Sequence, residues 1–282
     1  MFQAYRLNRI TIYGIWQISN LKQARIANNW KGELDIIKIV HLSDIHFSEA
    51  YYMPEIADSM LESINRDAPD IVVITGDLTE NGLASEYDGA KDFIDRIECE
   101  NKVIVPGNHD SRNAGYLFFE DIFKARSSFG HFGEVTVVGL DSSQPELEEG
   151  HIGRENYDWI ENTFSVSGFK VFALHHHLIP IPRTGRGNNV LVDAGDVLEL
   201  LDRSGVNLVL CGHWHIPWVW RLNNMLVVSS GTVCSSQIRG RISQCYNLIE
   251  LDAPEPECTR WHLRICRIFS GGKKETVVDG II

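Results

Sequence analysis

Apolar runs and helix-spaced patterns alternate along the chain. "IIKIVHL" (36–42), "DIVVITG" (70–76) and "KVIVPG" (102–107) are short and apolar on both faces, as buried strands are. Between and after them, "MPEIADSMLESINR" (53–66), "SEYDGAKDFIDRI" (85–97) and "AGYLFFEDIFKA" (114–125) carry apolar residues at helical spacing. This rhythm predicts a parallel sheet with crossover helices. The second half has the same parts. Strands are expected over "GEVTVVGLD" (133–141), "FKVFALHHH" (169–177) and "VNLVLCGHWH" (206–215). Helices are expected over "NYDWIENTF" (156–164) and "DAGDVLELLDRSG" (193–205), the latter with Asp193 as N-cap and Gly205 as its stop. Beyond them "WVWRL", "MLVVSS", "CYNLIELD" and "TRWHLRICRIF" read as successive antiparallel strands, with "NN" at 223–224 in a hairpin turn. Residues 1–35 show no clear period and form an N-terminal extension of unknown role.

A chain of 282 residues can bury a full core as one large α/β domain. Its net charge of −12 disfavours non-specific nucleic-acid binding. No apolar run reaches the roughly 20 residues that span a bilayer, and the first 20 residues lack the apolar core of a signal peptide. The six cysteines include no C-x-x-C pair, which points to buried free thiols in a reducing cytoplasm.

The candidate chemistry sits where the strands end. Asp44 and His46 follow the first. Asp77 follows the second, and Asn108, His109 and Asp110 the third. His175 follows "FKVFAL", and His213 and His215 follow "VNLVLC". Residues two apart on a strand share a face, which would set Asp44 beside His46. One metal-capable residue after a strand means little. Five such endings converge, because the strand ends of an α/β sheet share one rim. His46, Asp77 and Asn108 also recur at equal 31-residue intervals, each the length of one βαβ unit. Carboxylate, amide and imidazole without sulfur suit Mn, Fe or Zn better than Mg or Ca. The number of donors exceeds one ion's needs and would serve two divalent ions sharing a carboxylate.

In this order, "DIH", "GDL", "GNHD", "H" and "GHWH" resemble the calcineurin-like metallophosphoesterases. "HLSDIHF" and "GDLTENGLASEY" are most similar to the class III branch of cyclic-nucleotide and glycerophosphodiester phosphodiesterases. The resemblance covers about 36–252. It implies an α/β fold: a four-layer αββα sandwich of two mixed β-sheets flanked by helices. The catalytic domain would span 36–252, and a C-terminal strand segment, 253–282, would complete the second sheet.

The resemblance further implies that Asp44, His46, Asp77 and His215 hold one metal, and that Asp77, Asn108, His175 and His213 hold the other. A hydroxide between the ions would attack the phosphodiester of a small molecule such as a cyclic nucleotide. His109 would serve the departing oxygen, with Asp110 orienting it. His176 and His177 are open between a substrate contact and a plain loop role. Asn81 is open between a substrate contact and a turn, and Trp214 between base stacking and packing. "HLIPIPRTGRGNN" (177–189), with Arg183 and Arg186, is a candidate lid. The C-terminal strands are candidates for pairing a homodimer.

Other members of such a fold act differently. Protein phosphatases would show "DRG" after the Gly-Asp pair, which "GDLTENG" lacks. Phosphomonoesterase and nuclease remain alternatives. A non-catalytic binding scaffold would be expected to have broken motifs, and these are whole.

Overall fold

The computed structural model describes residues 36–282, apart from 183, 185–189 and 253–259. The first half folds as β1 (Ile36–Leu42), α1 (Pro54–Asp67), β2 (Ile71–Thr75), α2 (Ala84–Asp95), β3 (Lys102–Val105) and α3 (Gly115–Phe123). The second contains β4 (Ser128–Phe132), β5 (Val135–Gly139), α4 (Tyr157–Thr163), β6 (Phe169–Ala173), α5 (Ala194–Arg203), β7 (Leu208–Cys211), β8 (Trp218–Leu222) and β9 (Met225–Ser229). The chain closes with β10 (Cys245–Asp252), β11 (His262–Phe269) and β12 (Lys274–Ile281).

Two mixed six-stranded sheets result, ordered β12-β11-β10-β1-β2-β3 and β4-β5-β6-β7-β9-β8. Alternation along each strand divides the core into three layers. Ile37, Ile39, Ile71 and Val73 meet Val171, Ala173, Leu208 and Leu210 between the sheets. Val40, Leu42, Val72 and Ile74 face the other way, onto α1 and α2 through Met60, Ile64 and Phe93. Phe172 and Val209 likewise pack on α4 and α5 through Ile160, Val197 and Leu200. Each fully buried Ile, Leu or Val contributes about 1.5–3 kcal/mol. A one-residue slip would exchange the two faces of a strand, so this patterning fixes the register and with it the position of every strand end. No helix among the described residues is long and apolar enough to cross a membrane.

The C-terminal strands depart from expectation. They do not complete the sheet of the second half. The β8–β9 hairpin does close that sheet, through a turn at 223–224. β9 then pairs in parallel with β7, the chain crosses over, and β10 joins β1 in the other sheet. The physical reason is an open edge. β2 and β3 lie on one side of β1 only, and β10, buried on both faces for most of its length, covers the other. β4 and β12 were not expected. Both are edge strands rich in polar or glycine positions and lack a clean apolar alternation. Cys99, Cys211, Cys234, Cys245 and Cys266 are free thiols. Residues 1–35, Cys258, Arg183 and Arg186 lie outside the described residues.

Candidate metal centre

β1, β2, β3, β6 and β7 stop at Leu42, Thr75, Val105, Ala173 and Cys211. The chemistry begins two or three residues later, at Asp44, Asp77, Asn108, His175 and His213. Asp44 and His46 are not side by side through strand alternation. Both are in the left-handed region (φ 56° and 47°), as are Asp77 (50°), His213 (74°) and His215 (53°). Each such non-glycine residue costs about 1–3 kcal/mol and persists where the surroundings hold it. Here backbone bonds do so: the Asp44 amide donates to the Gly76 carbonyl (3.0 Å) and the His46 amide to that of Asp77 (2.9 Å). The glycines make room. A Cβ on Gly107 would overlap Oδ1 of Asp77, and one on Gly212 would stand 2.7 Å from Oδ2 of Asp44.

The side chains gather in two adjoining groups. In one, His46 Nε2 lies 2.9 Å from His215 Nε2, 3.9 Å from Asp44 Oδ1 and 3.6 Å from Asp77 Oδ2. His215 Nε2 is 3.3 Å from Asp44 Oδ1. In the other, His175 Nε2 lies 3.1 Å from Asn108 Oδ1, 3.1 Å from His213 Nδ1 and 3.3 Å from Asp77 Oδ2. Asn108 Oδ1 and His213 Nδ1 are 2.9 Å apart. Oδ2 of Asp77 belongs to both. All seven residues except His213, which is half-buried, are buried.

The outer partners fix which atoms face inward. Nδ1 of His46 meets Glu80 Oε2 (2.8 Å), that of His215 meets the Gln237 carbonyl, and that of His175 meets the Thr75 carbonyl (2.7 Å). Carboxylates and carbonyls only accept, so each Nδ1 donates and each Nε2 presents a lone pair. Asn108 Nδ2 donates to Glu148 Oε2 (2.9 Å), which turns its Oδ1 inward. In the neutral rings, lone pairs thus confront one another at about 3 Å at the His46–His215 and His175–Asn108 contacts. That arrangement is repulsive unless a cation stands there, and this donor set suits two divalent ions.

The titration pattern agrees. Burial alone would raise Asp77, but His175, His109 and His46 hold it well below the usual carboxylate range. Asp44 is held low against its burial by His215 and His175. Burial opposes charge on His175, yet Asp77 and Asp44 push it up to about 9. His215 is raised against its burial by Asp44 in the same way. Without metal, protons on these imidazoles take the place of cations.

His109 sits half-buried at the lip, 4.7 Å centroid to centroid from the His46 ring. Its Nδ1 meets the Glu80 carbonyl (2.8 Å), with Arg112 Nη1 at 2.8 Å. Asp110 was expected to orient this ring and does not touch it. Its carboxylate accepts from the amides of Gly107 (2.9 Å), Leu78 (3.1 Å) and Thr79 (2.9 Å) and from Thr79 Oγ1 (2.8 Å). Four donors on one buried acid make it a brace between two ligand loops. Glu80, which holds His46, lies near His109 and accepts from Gln237 (2.8 Å), was missed. A glutamate in "TENG" reads as an exposed loop charge, and nothing local marks its partner.

The remaining candidates resolve simply. Asn81 donates through its amide and side chain to Glu86 (2.7 and 3.0 Å) at the start of α2, which is a turn role. Trp214 carries the Arg239 guanidinium 3.9 Å above its ring. His176 meets Ser142 Oγ (2.8 Å) and the Glu148 carbonyl (3.1 Å), and its ring centroid is 4.7 Å from that of His213.

Two mixed sheets between helices, with two oxygen- and nitrogen-lined clusters at the strand ends, define a metal-dependent phosphoesterase. The model of the calcineurin-like phosphoesterase family matches residues 37–217, and the chain belongs to that family. It is 26% identical over 219 residues to a probable cyclic nucleotide phosphodiesterase of Rhodococcus erythropolis, covering 71% of each chain. It is 27% identical over 213 residues to a probable glycerophosphodiester phosphodiesterase of Arcobacter nitrofigilis, covering 69% of this chain and 77% of that one. Among solved structures, a purple acid phosphatase from yellow lupin seeds shares the fold. Its TM-score is 0.64 at 16% identity, over 88% of this chain and 54% of that one.

Proposed function

We propose that this chain hydrolyses the phosphodiester bond of a small molecule, a cyclic nucleotide or a glycerophosphodiester, at a centre of two divalent ions drawn from Mn, Fe and Zn. Asp44, His46, Asp77 and His215 would hold one ion, and Asp77, Asn108, His175 and His213 the other. The observation that carries this reading is the convergence of buried lone pairs on two adjoining points that share Asp77 Oδ2. The ions, when bound, would supply Lewis acidity and activate water.

The protein's own groups do the rest. Glu80, Gln237 and Thr75 fix the histidine tautomers. His109 Nδ1 sits between the Glu80 carbonyl and Arg112 Nη1, which leaves Nε2 to carry the proton to the departing oxygen. The names of the relatives favour a diester over a monoester. The free thiols fit a cytoplasmic setting.

A panel of bis-p-nitrophenyl phosphate, p-nitrophenyl phosphate, 3′,5′-cyclic AMP and glycerophosphoethanolamine tests the reading. Turnover of the diesters well above the monoester supports it. Preference for the monoester contradicts it.

A further inference from the structure

The metal centre leaves one buried cation unexplained. Arg267, on β11, is 8% exposed, and its Nε and Nη2 have no hydrogen-bond partner among the described residues. A guanidinium carries five N–H donors and keeps its charge in proteins, so burying it unpaired is costly. Burial lowers its pKa, and the groups that face it are Cys245 and Glu275. Glu275 stands opposite Arg267 in the β11–β12 ladder, but its carboxylate lies 4.0 Å from Lys273 Nζ, and no carboxylate among the described residues is within ion-pair distance of Arg267.

Arg267 lines an open cleft of about 650 Å³, a volume within the range of small-molecule sites. Arg241 and Lys273 also line it, with Glu275 as the one carboxylate among the described residues of the lining, and Trp218 and Phe269 give it aromatic walls. In a chain of net charge −12, three cations against one anion make a local reversal of sign. None of the seven clustered residues lines this cleft, although its wall starts at Ile216, next after His215.

We propose that this cleft is a second ligand site. It takes a small organic anion, a phosphate, phosphonate or carboxylate on an apolar body, whose head pairs with Arg267 while the body lies against Trp218 and Phe269. The proposal goes beyond the phosphodiesterase reading and does not rest on the assignment of the metal ligands.

Calorimetric titration of the full chain with phenylphosphonate, whose C–P bond is not an ester, tests it. In EDTA, which empties the metal centre, one site per chain is expected to remain. Arg267→Met should weaken it at least ~10-fold, the effect of losing a charge-assisted hydrogen bond, while hydrolysis of bis-p-nitrophenyl phosphate stays within about 2-fold of wild type. If Arg267→Met fails to fold by thermal melting, the double variant Arg241→Ala/Lys273→Ala decides, with several-fold weaker binding expected. Loss of all binding in EDTA would overturn the proposal. So would unchanged binding in a folded Arg267→Met variant, or in the double variant where that one does not fold.

Discussion

The backbone amide of His109 donates to Oδ1 of Asp77 at 3.0 Å. That bond ties one carboxylate oxygen to the loop after β3. It leaves Oδ2 to face His46 at 3.6 Å and His175 at 3.3 Å. One oxygen is thereby shared by both donor groups, and His109, whose imidazole stands beside them, is also the residue that aims it. Asp77→Ala should therefore lose metal from both positions. Its activity should fall beyond the ~10–100-fold typical of losing an outer partner. Elemental analysis beside a rate measurement checks this; two ions retained per chain would count against the shared oxygen.

His109 has a different place. It stands within reach of His46 and Asp77 but outside the two groups that share Asp77 Oδ2, so His109→Ala should keep both metals and lose ~10²–10⁴ in rate. The loss should be larger for an alkyl leaving group than for p-nitrophenoxide, which departs without a proton. Equal losses on both substrates would remove His109 from the departing oxygen.

Glu80 acts through His46. Removing an outer carboxylate from a ligating histidine costs about 10–100-fold in metal affinity, and Glu80→Ala should show this in a Mn²⁺ titration. Glu80→Gln keeps an acceptor for Nδ1 (2.8 Å in the parent) and should recover part of the affinity. Equal affinity for wild type and Glu80→Ala would reduce Glu80 to an ordinary loop residue.

Acid should weaken the fold through His41. This ring is fully buried against Thr75 Oγ1 (3.0 Å) and Asn247 Nδ2 (3.2 Å), and burial pushes it down to about 3. The unfolded chain takes up a proton near pH 6.5 while the folded one does not, so the unfolded state binds more protons below that pH. The contribution is whole above pH 6.5 and is lost as pH falls toward 3. Over two pH units this amounts to about 2.7 kcal/mol. Urea unfolding of wild type and His41→Gln at pH 7.5 and 4.5 separates this residue from the rest. The variant should lose less stability between the two conditions, and parallel losses would clear His41.

Much of this was readable from residue order, for identifiable reasons. Buried parallel strands are apolar on both faces, so β1, β2, β3, β6 and β7 were visible, and with them the rim where Asp44, Asp77, Asn108, His175 and His213 emerge. What failed lacked a local signal. β10 resembles its neighbours in the chain, and only the uncovered edge of β1 draws it to the other sheet. Asp110 stands beside His109 in sequence, yet the turn after β3 sends its carboxylate to Thr79 and Gly107. Glu80 and Arg267 owe their interest to partners, one held and one missing, and neither is encoded in adjacent residues.

The most direct test is stepwise addition of Mn²⁺ to metal-stripped protein while hydrolysis of bis-p-nitrophenyl phosphate is followed. The shared-oxygen geometry requires activity to rise from near zero and level off at two equivalents per chain. Full activity in chelator, a plateau at one equivalent, or no activity at any Mn²⁺ concentration would contradict a two-ion phosphodiesterase built around Asp77.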